Sequence, residues 1–331
     1  MDSTADRYRR AARELAQTSE LQVRRALAVA GSDALLARID ELPSARRQPS
    51  LLFSVARYLG SPRDPEEFVA WMLAEWPRVA PVAAERLTQT NEALRCAPLV
   101  AALERITEPD EPIALIEIGA SAGLCLAPER YSYSFPTAGG DGSAGGGGSA
   151  VASRLGSGGP LLECVVTGGA SPMRLPRIAW RRGLDLRPLD ARSAEDRAWL
   201  EALLPEDRPE RTARLREAVA VLREDPPLIV AGDAAEALPA LLAEVPHGMR
   251  VVVVSLGTLV YLPRASRERV LAAVGAAGAS LVTLEAESLL PHLVAPRAAL
   301  SAPEPTPFLL AADGVPLACA TPHGGRLSWL T

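Results

Sequence analysis

The chain has 331 residues, a formal net charge of −5 and a hydrophobic fraction of 48%. This length accommodates two domains, or one α/β domain with a helical extension. The acidic balance, with no lysine and no basic stripe, excludes nucleic acid as an expected partner. No apolar run approaches the roughly 18 residues of a membrane span, and the N-terminus lacks the apolar core of a secretory signal, so we expect a cytoplasmic protein without a membrane partner.

Residues 1–110 predict a helical region or lid. Asp64-Pro65 is a strong helix start, with Asp as the N-cap and Pro at the first helical position. Gln48-Pro49 is expected to precede another helix, which carries Leu51, Leu52, Val55 and Leu59. Apolar spacing predicts a long helix over residues 82–107, bent at Pro98.

Residues 111–331 change character, because strand-like apolar runs now alternate with helical patterns. This alternation predicts a mostly parallel sheet in an α/β domain. The second strand has two candidates, 161–167 and 178–180. The other predicted strands are 113–118, 228–231, 250–256 and 280–285, and the predicted helices are 194–204, 208–223, 234–244 and 264–276.

The C-terminal part predicts a β-hairpin, with strands 308–312 and 315–320 joined by Asp313-Gly314. An antiparallel hairpin that closes a parallel sheet is typical of class I methyltransferases. We therefore expect a Rossmann-like methyltransferase fold with a seven-stranded, mostly parallel sheet. Residues 138–159 are rich in glycine and serine and predict a disordered loop.

The most informative motif is the glycine turn after the first predicted strand. Glu117 ends an apolar run, and Gly119, Ser121 and Gly123 follow, before a helix expected to start at Leu124. Glycine lets the backbone turn sharply and approach a ligand closely. A dinucleotide site usually has a third glycine, whereas an acid two residues before the first glycine is typical of an S-adenosylmethionine site. An ordinary α/β turn without a ligand remains the alternative.

Three more positions follow predicted strands and are candidates for cofactor contact. Asp185 has the chemistry to accept hydrogen bonds from ribose hydroxyls, and Asp233 to meet the adenine amino group. Asp185 is alternatively a surface acid, and Asp233 an N-cap of the helix at 234–244. Ser255 follows the fourth predicted strand, where α/β sheets form their ligand crevice. Tyr261 either positions the substrate as a weak acid or base, or packs under the sheet.

A polar cluster within the predicted helix 82–107 is the other candidate patch. Thr88, Asn91, Glu92 and Arg95 share one helix face by spacing. We assign Thr88, Gln89 and Asn91 to substrate binding, and Glu92 and Arg95, with Tyr261, to catalysis. The alternative is a structural network that connects the helical region to the sheet.

The four cysteines and three histidines show no metal-ligand spacing, so we expect no metal site. No Ser-His-Asp or paired-carboxylate arrangement indicates a hydrolase.

Several motifs in one order resemble a bacterial family, domain of unknown function 2332. They span nearly the whole chain and are 48–53 (QPSLLF), 88–92 (TQTNE) with Arg95-Cys96, 117–126, 179–190, 232–234 (GDA), 322–324 (PHG) and 329–330 (WL). The resemblance implies a class I methyltransferase fold preceded by helices. The chain departs from the family pattern at Cys125, where Asn is usual, and at Ser255–Thr258, where a His-Ser pair is usual.

These observations favour an S-adenosylmethionine-dependent methyltransferase that acts on a small molecule. Methyl transfer needs little acid–base chemistry, because the sulfonium is already activated and the protein supplies placement. Two alternatives keep the fold without this cofactor. One is a cofactor-independent biosynthetic enzyme that carries out an intramolecular displacement, cyclisation or elimination, and the other is a non-catalytic binding protein.

Overall fold

The computed structural model describes residues 3–16, 18–89, 91–137, 153–286 and 308–330. The chain forms two compact units, one of Met1–Thr90 with Arg192–Leu215 and one of Asn91–Ala191 with Arg216–Thr331. The predicted division into a helical region before residue 110 and an α/β domain after it stays a prediction.

The first unit is helical. Asp64 caps one of its helices, since its carboxylate accepts hydrogen bonds from the backbone N–H of Glu66 (2.9 Å) and Glu67 (3.1 Å). This confirms the predicted start at Asp64-Pro65, and Pro49 likewise begins a helix. The helices are α1 (Thr4–Glu14), α2 (Glu20–Ala30), α3 (Asp33–Ile39), α4 (Pro49–Tyr58), α5 (Pro65–Ala74) and α6 (Trp76–Glu85).

Aromatic side chains form the centre of this unit. Phe53 lies between Tyr8 and Phe68, with ring centroids 6.0 and 5.9 Å apart in edge-to-face geometry. Trp199 meets the ring of Tyr58 at 5.7 Å in the same way.

The prediction of one long helix over residues 82–107 is wrong. Helix α6 ends at Glu85, Arg86 is extended (ψ 153°), and α7 (Cys96–Ile106) begins only after a 3₁₀ turn at Ala93–Arg95. The intervening residues include Thr and Asn, which are poor helix formers. Pro98 bends nothing, because it lies in the first turn of α7, where no backbone N–H is needed.

The remaining helices match their predicted positions closely. They are α8 (Ala194–Ala202), α9 (Pro209–Glu224), α10 (Ala234–Ala243) and α11 (Arg264–Ala276). Apolar side chains of α10 and α11 pack with those of the central strands in one buried cluster. None of the helices in the described part of the chain is long and apolar enough to cross a membrane.

The described residues form one large sheet of nine strands, rather than the seven predicted. Its order is β5-β12-β11-β10-β9-β8-β1-β6-β7. The strands are β1 (Pro112–Ile118), β5 (Val165–Thr167), β6 (Arg177–Asp185), β7 (Ile229–Ala231), β8 (Arg250–Leu256), β9 (Ser280–Ala286), β10 (Phe308–Ala312), β11 (Val315–Ala320) and β12 (Arg326–Trp329). The two additional strands, β12 and β5, extend the edge beyond the predicted hairpin, whose strands pair antiparallel as expected.

Both candidates for the second strand form strands, but only one lies beside β1. Strand β6 pairs parallel with β1, whereas β5 lies at the far edge. A smaller sheet consists of β3 (Ser153–Leu155), β2 (Ser132–Phe135) and β4 (Leu161–Glu163). Of the predicted loop 138–159, residues 138–152 lie outside the described residues, and Ser153–Leu155 is a strand rather than loop.

The order of the five parallel strands determines where a ligand site is expected. Across the sheet these strands lie in the order β7-β6-β1-β8-β9. If the five are renumbered by their order along the chain, this becomes 3-2-1-4-5, the arrangement of doubly wound α/β sheets. The chain leaves β1 toward β6 and β7 and then returns to β8 on the other side. In such sheets ligands bind at this switch point, outside the carboxyl ends of the strands.

Candidate functional site

The glycine turn lies at this switch point and has strained backbone geometry. Gly119 and Gly123 adopt φ of +74° and +80°, and Ser121 adopts +51°. A Cβ on Gly119 would overlap the Thr258 hydroxyl, and one on Gly123 would lie 2.6 Å from Pro227 Cγ. Both glycines are therefore required by close packing as well as by their backbone conformation.

The α-helix expected from Leu124 is absent. The turn continues into two 3₁₀ turns, Leu124–Leu126 and Pro128–Arg130, and then into β2. Buried Tyr131 holds the first of them, because its hydroxyl donates to the Leu124 carbonyl at 2.8 Å. The backbone after Gly123 therefore does not provide the N-terminus of an α-helix for binding an anionic ligand group.

Glu117 is buried at the end of β1. It is 5% exposed, and its Oε2 has no hydrogen-bond partner among the described residues. Burial raises the pKa of this carboxyl well above its usual range, the neighbouring Cys125 and Asp185 add to the increase, and Arg95 opposes it. Glu117 thus retains its proton more readily than an exposed glutamate and has an oxygen free for a donor.

Asp185 ends β6, the strand beside β1, and contacts the glycine turn. Its Oδ2 accepts a hydrogen bond from the Ser121 backbone N–H at 2.8 Å, and its Oδ1 accepts one from the Arg187 N–H at 2.8 Å. Asp185 therefore binds the glycine turn directly through a backbone hydrogen bond. A carboxylate oxygen can accept more than one hydrogen bond, so ligand hydroxyls are chemically suitable donors to this side chain.

Asp233 is the N-cap of α10. Its Oδ1 accepts a hydrogen bond from the Ala235 N–H at 2.9 Å, as the capping interpretation predicts. The neighbouring Gly232 N–H donates to the Asp185 carbonyl at 2.9 Å, which brings the end of β7 beside the end of β6. Contact of Asp233 with a cofactor stays a prediction.

Asn91 contacts the glycine turn instead of forming a helix face. Its Nδ2 donates to Ser121 Oγ at 2.8 Å, and its Oδ1 accepts from the Ala122 N–H at 3.4 Å. The side chain of Asn91 therefore holds Ser121 in its left-handed conformation.

The other polar residues of this segment do not share a helix face either. Glu92 accepts a hydrogen bond from the Leu94 N–H at 3.2 Å and so caps the 3₁₀ turn before α7. Thr88 and Gln89 belong to the helical unit, in the irregular segment after α6. Their role in substrate binding stays a prediction.

Arg95 is a buried cation at the carboxyl end of β8. It is 6% exposed, its Nε donates to the Pro322 carbonyl at 2.9 Å, and its Nη1 donates to the Leu256 carbonyl. A Cβ on Gly257 would lie 2.8 Å from Nη1, so the guanidinium packs directly on this backbone. Burial lowers the pKa of Arg95, and nearby Cys125, Glu285 and Glu92 oppose that effect.

Ser255 is fully buried, and its hydroxyl donates to Glu285 Oε1 at 2.8 Å. Tyr261 is 75% exposed in the 3₁₀ turn Leu259–Tyr261 that follows β8. The alternative that Tyr261 packs under the sheet is therefore wrong.

Sequence reasoning missed Glu285 and assigned no role to Gly257 or Thr258, although it singled out the segment Ser255–Thr258. Glu285 ends the apolar strand β9 in the way that Glu117 ends β1. An acid at the end of a buried strand was therefore a usable signal for both. Nothing in the local sequence indicates that Thr258 lies against Gly119.

Acidic side chains dominate this edge of the sheet. Glu117, Asp185 and Asp233 end or follow adjacent strands, and buried Glu285 lies on the other side of β8. Arg95 uses Nε and Nη1 on backbone carbonyls. An acidic edge favours a cationic ligand over a phosphate. No group of three metal-ligating side chains with suitable geometry occurs within the described ranges.

Comparison with known proteins found no match among curated proteins and none among solved structures. One family model, described as an uncharacterized protein conserved in bacteria, matches residues 5–329. That span covers nearly the whole chain and agrees with the ordered motifs of the sequence. The chain therefore belongs to the DUF2332 family.

Proposed function

We propose that this protein is an S-adenosylmethionine-dependent methyltransferase that acts on a small molecule. One observation carries the proposal: acids end or follow the adjacent strands β1, β6 and β7 at the switch point of the sheet, and Asp185 among them binds the glycine turn. One of them, Glu117, is buried with an unpartnered oxygen.

The chemistry of the cofactor complements these acids. S-adenosylmethionine carries a sulfonium and an ammonium group, and a cation bound beside Glu117 favours the ionised form of this buried carboxyl and is stabilised by it. The ribose offers two hydroxyl donors to Asp185, and the adenine amino group offers a donor to Asp233. A dinucleotide would instead place its phosphates beside these acids, which is electrostatically unfavourable.

The reaction in this proposal is an in-line displacement at the methyl carbon. The nucleophile of the acceptor forms a bond to carbon while the carbon–sulfur bond breaks, and its electron pair remains on S-adenosylhomocysteine. Placement of the two reactants provides most of the acceleration. Tyr261 is exposed beside the carboxyl end of β8, which suits contact with the acceptor, whereas Arg95 and Glu92 act through the backbone segments they hold.

A cofactor-independent enzyme on the same fold is the second candidate, and a specific contact favours it. The Thr258 hydroxyl occupies the space that a Cβ of Gly119 would take. Thr258 therefore packs directly against the glycine turn and limits the room for a cofactor at Gly119. In that case Glu117 positions a single small molecule rather than a cofactor.

Calorimetric titration of the purified protein with S-adenosylmethionine and S-adenosylhomocysteine tests the proposal. We expect micromolar binding to the wild type and binding at least about tenfold weaker in Glu117→Gln, since a charge-assisted contact contributes on the order of 1.5–3 kcal/mol. Glu163→Gln is the matched control, because Glu163 is exposed on β4. Absence of binding to folded wild-type protein would refute the methyltransferase and favour the cofactor-independent enzyme.

A further inference from the structure

We infer that Glu285 is the positioning residue of the site, holding the segment Ser255–Tyr261 in the conformation that shapes the crevice. This inference rests on the proposed function for the identity of the ligand. The argument about the segment itself rests on its hydrogen bonds and packing alone.

A single oxygen of Glu285 organises the segment. Its Oε1 accepts hydrogen bonds from Ser255 Oγ at 2.8 Å and from the backbone N–H groups of Thr258 and Leu259, both at 2.9 Å. The two backbone N–H groups lie at the start of the 3₁₀ turn Leu259–Tyr261, where N–H groups have no partner within the turn. The N-cap residue Thr258 makes no capping hydrogen bond with its own side chain. A carboxylate from β9 therefore caps a turn that follows β8.

The segment that Glu285 holds contacts both other parts of the site. Gly257 has φ of +85°, and its backbone packs on the Arg95 guanidinium. Thr258 comes next, and its side chain lies against Gly119 in the glycine turn. Through these two neighbours, one buried carboxylate determines how the end of β8 meets the end of β1.

These hydrogen bonds involve only one of the two oxygens of the Glu285 side chain. Glu285 is completely buried, and its Oε2 has no hydrogen-bond partner among the described residues. Burying a carboxylate is costly even when it accepts hydrogen bonds, and a buried unsatisfied oxygen adds to the cost. Glu285 lies at the carboxyl edge of the sheet, where such a cost is expected at a functional site.

Hydrogen exchange and ligand binding test this inference with Glu285→Ala and Glu285→Gln. In Glu285→Ala we expect the amides of Thr258 and Leu259 to exchange at least about tenfold faster, while amides of β1 and β6 change little, because only the former lose their acceptor. We expect the Kd for S-adenosylhomocysteine to rise about tenfold or more. Glu285→Gln retains an acceptor oxygen of the same shape, so both effects should be largely rescued.

Thr283→Val is the matched control. Thr283 is a buried residue of β9 that pairs with Ser255 on β8, and its substitution perturbs the same pair of strands while leaving all three hydrogen bonds to Glu285 in place. If Glu285→Ala does not fold, Ser255→Ala removes one of the three donors and should accelerate exchange at Thr258 and Leu259 to a smaller extent.

Two results would overturn the inference: unchanged exchange at Thr258 and Leu259 in folded Glu285→Ala, or equal weakening of ligand binding in Glu285→Ala and Thr283→Val. Absence of binding to the wild type would instead remove the proposed function. The exchange measurement uses no ligand and would still decide the role of Glu285.

Discussion

Substituting Glu117 with Gln is expected to change the pH dependence of stability in a defined direction. The wild-type carboxyl is buried at the end of β1, where burial raises its pKa well above the unfolded value of about 4.3. As pH rises through the unfolded pKa, the unfolded chain loses this proton while the folded protein retains it. Glu117 therefore lowers stability progressively between the unfolded and the folded pKa, and the full penalty applies above the folded pKa.

The size of the effect follows from linkage. Each pH unit between the two pKa values costs the wild type about 1.4 kcal/mol of folding free energy. Gln carries no titrating proton and so avoids this cost. Its amide is buried at a position where one oxygen has no partner, and this costs on the order of 1 kcal/mol at every pH. The free energy of unfolding of Glu117→Gln, relative to the wild type, should therefore rise from pH 4.5 to pH 8.

Urea unfolding of both proteins at a series of pH values measures this difference. Glu163→Gln controls for removing one negative charge, because Glu163 is exposed on β4. Parallel stability profiles for wild type and Glu117→Gln would refute the reasoning. They would mean that Glu117 titrates alike in the folded and unfolded states.

Two further substitutions separate the roles assigned to single residues. Asn91→Ala removes the hydrogen bonds to Ser121 Oγ and the Ala122 N–H. We expect the free energy of unfolding, measured with urea, to fall by about 1–2 kcal/mol and S-adenosylhomocysteine to bind more weakly. Unchanged stability would contradict a role of Asn91 in holding the turn. Asp233→Ala should lose about 1 kcal/mol through the missing cap of α10, whereas Asp233→Asn keeps an efficient N-cap and should remain stable. If both Asp233 variants bind the ligand as the wild type does, calorimetry would assign Asp233 to capping alone.

Local signals predicted most of the secondary structure. The Asp64-Pro65 start, the hairpin at Asp313-Gly314 and the alternation of strands and helices after residue 111 are each short-range patterns, and each matches an element of the structure. The glycine turn was also found locally, since it combines a buried strand, an acid and two glycines within a few residues. These signals succeed because capping, turn conformation and periodicity depend on neighbours in the chain.

Local patterns failed where long-range contacts outweighed them. Apolar spacing over residues 82–107 predicted one helix, but Asn91 contacts the glycine turn, and the chain there is extended. The choice between the two candidates for the second strand was equally undetermined. Strand β6 lies beside β1, and β5 pairs with β12, a strand more than one hundred residues away in the chain.

The sequence by itself determined the α/β class, the order of the elements and the acid–glycine turn. Only the tertiary structure decided which residues surround that turn. The pairing of β1, β8 and β9 brings Thr258 and Glu285 to this edge of the sheet, and Arg95 reaches the end of β8 from the turn before α7. Strand pairing depends on which buried faces fit one another across the whole chain, so no local spacing specifies it.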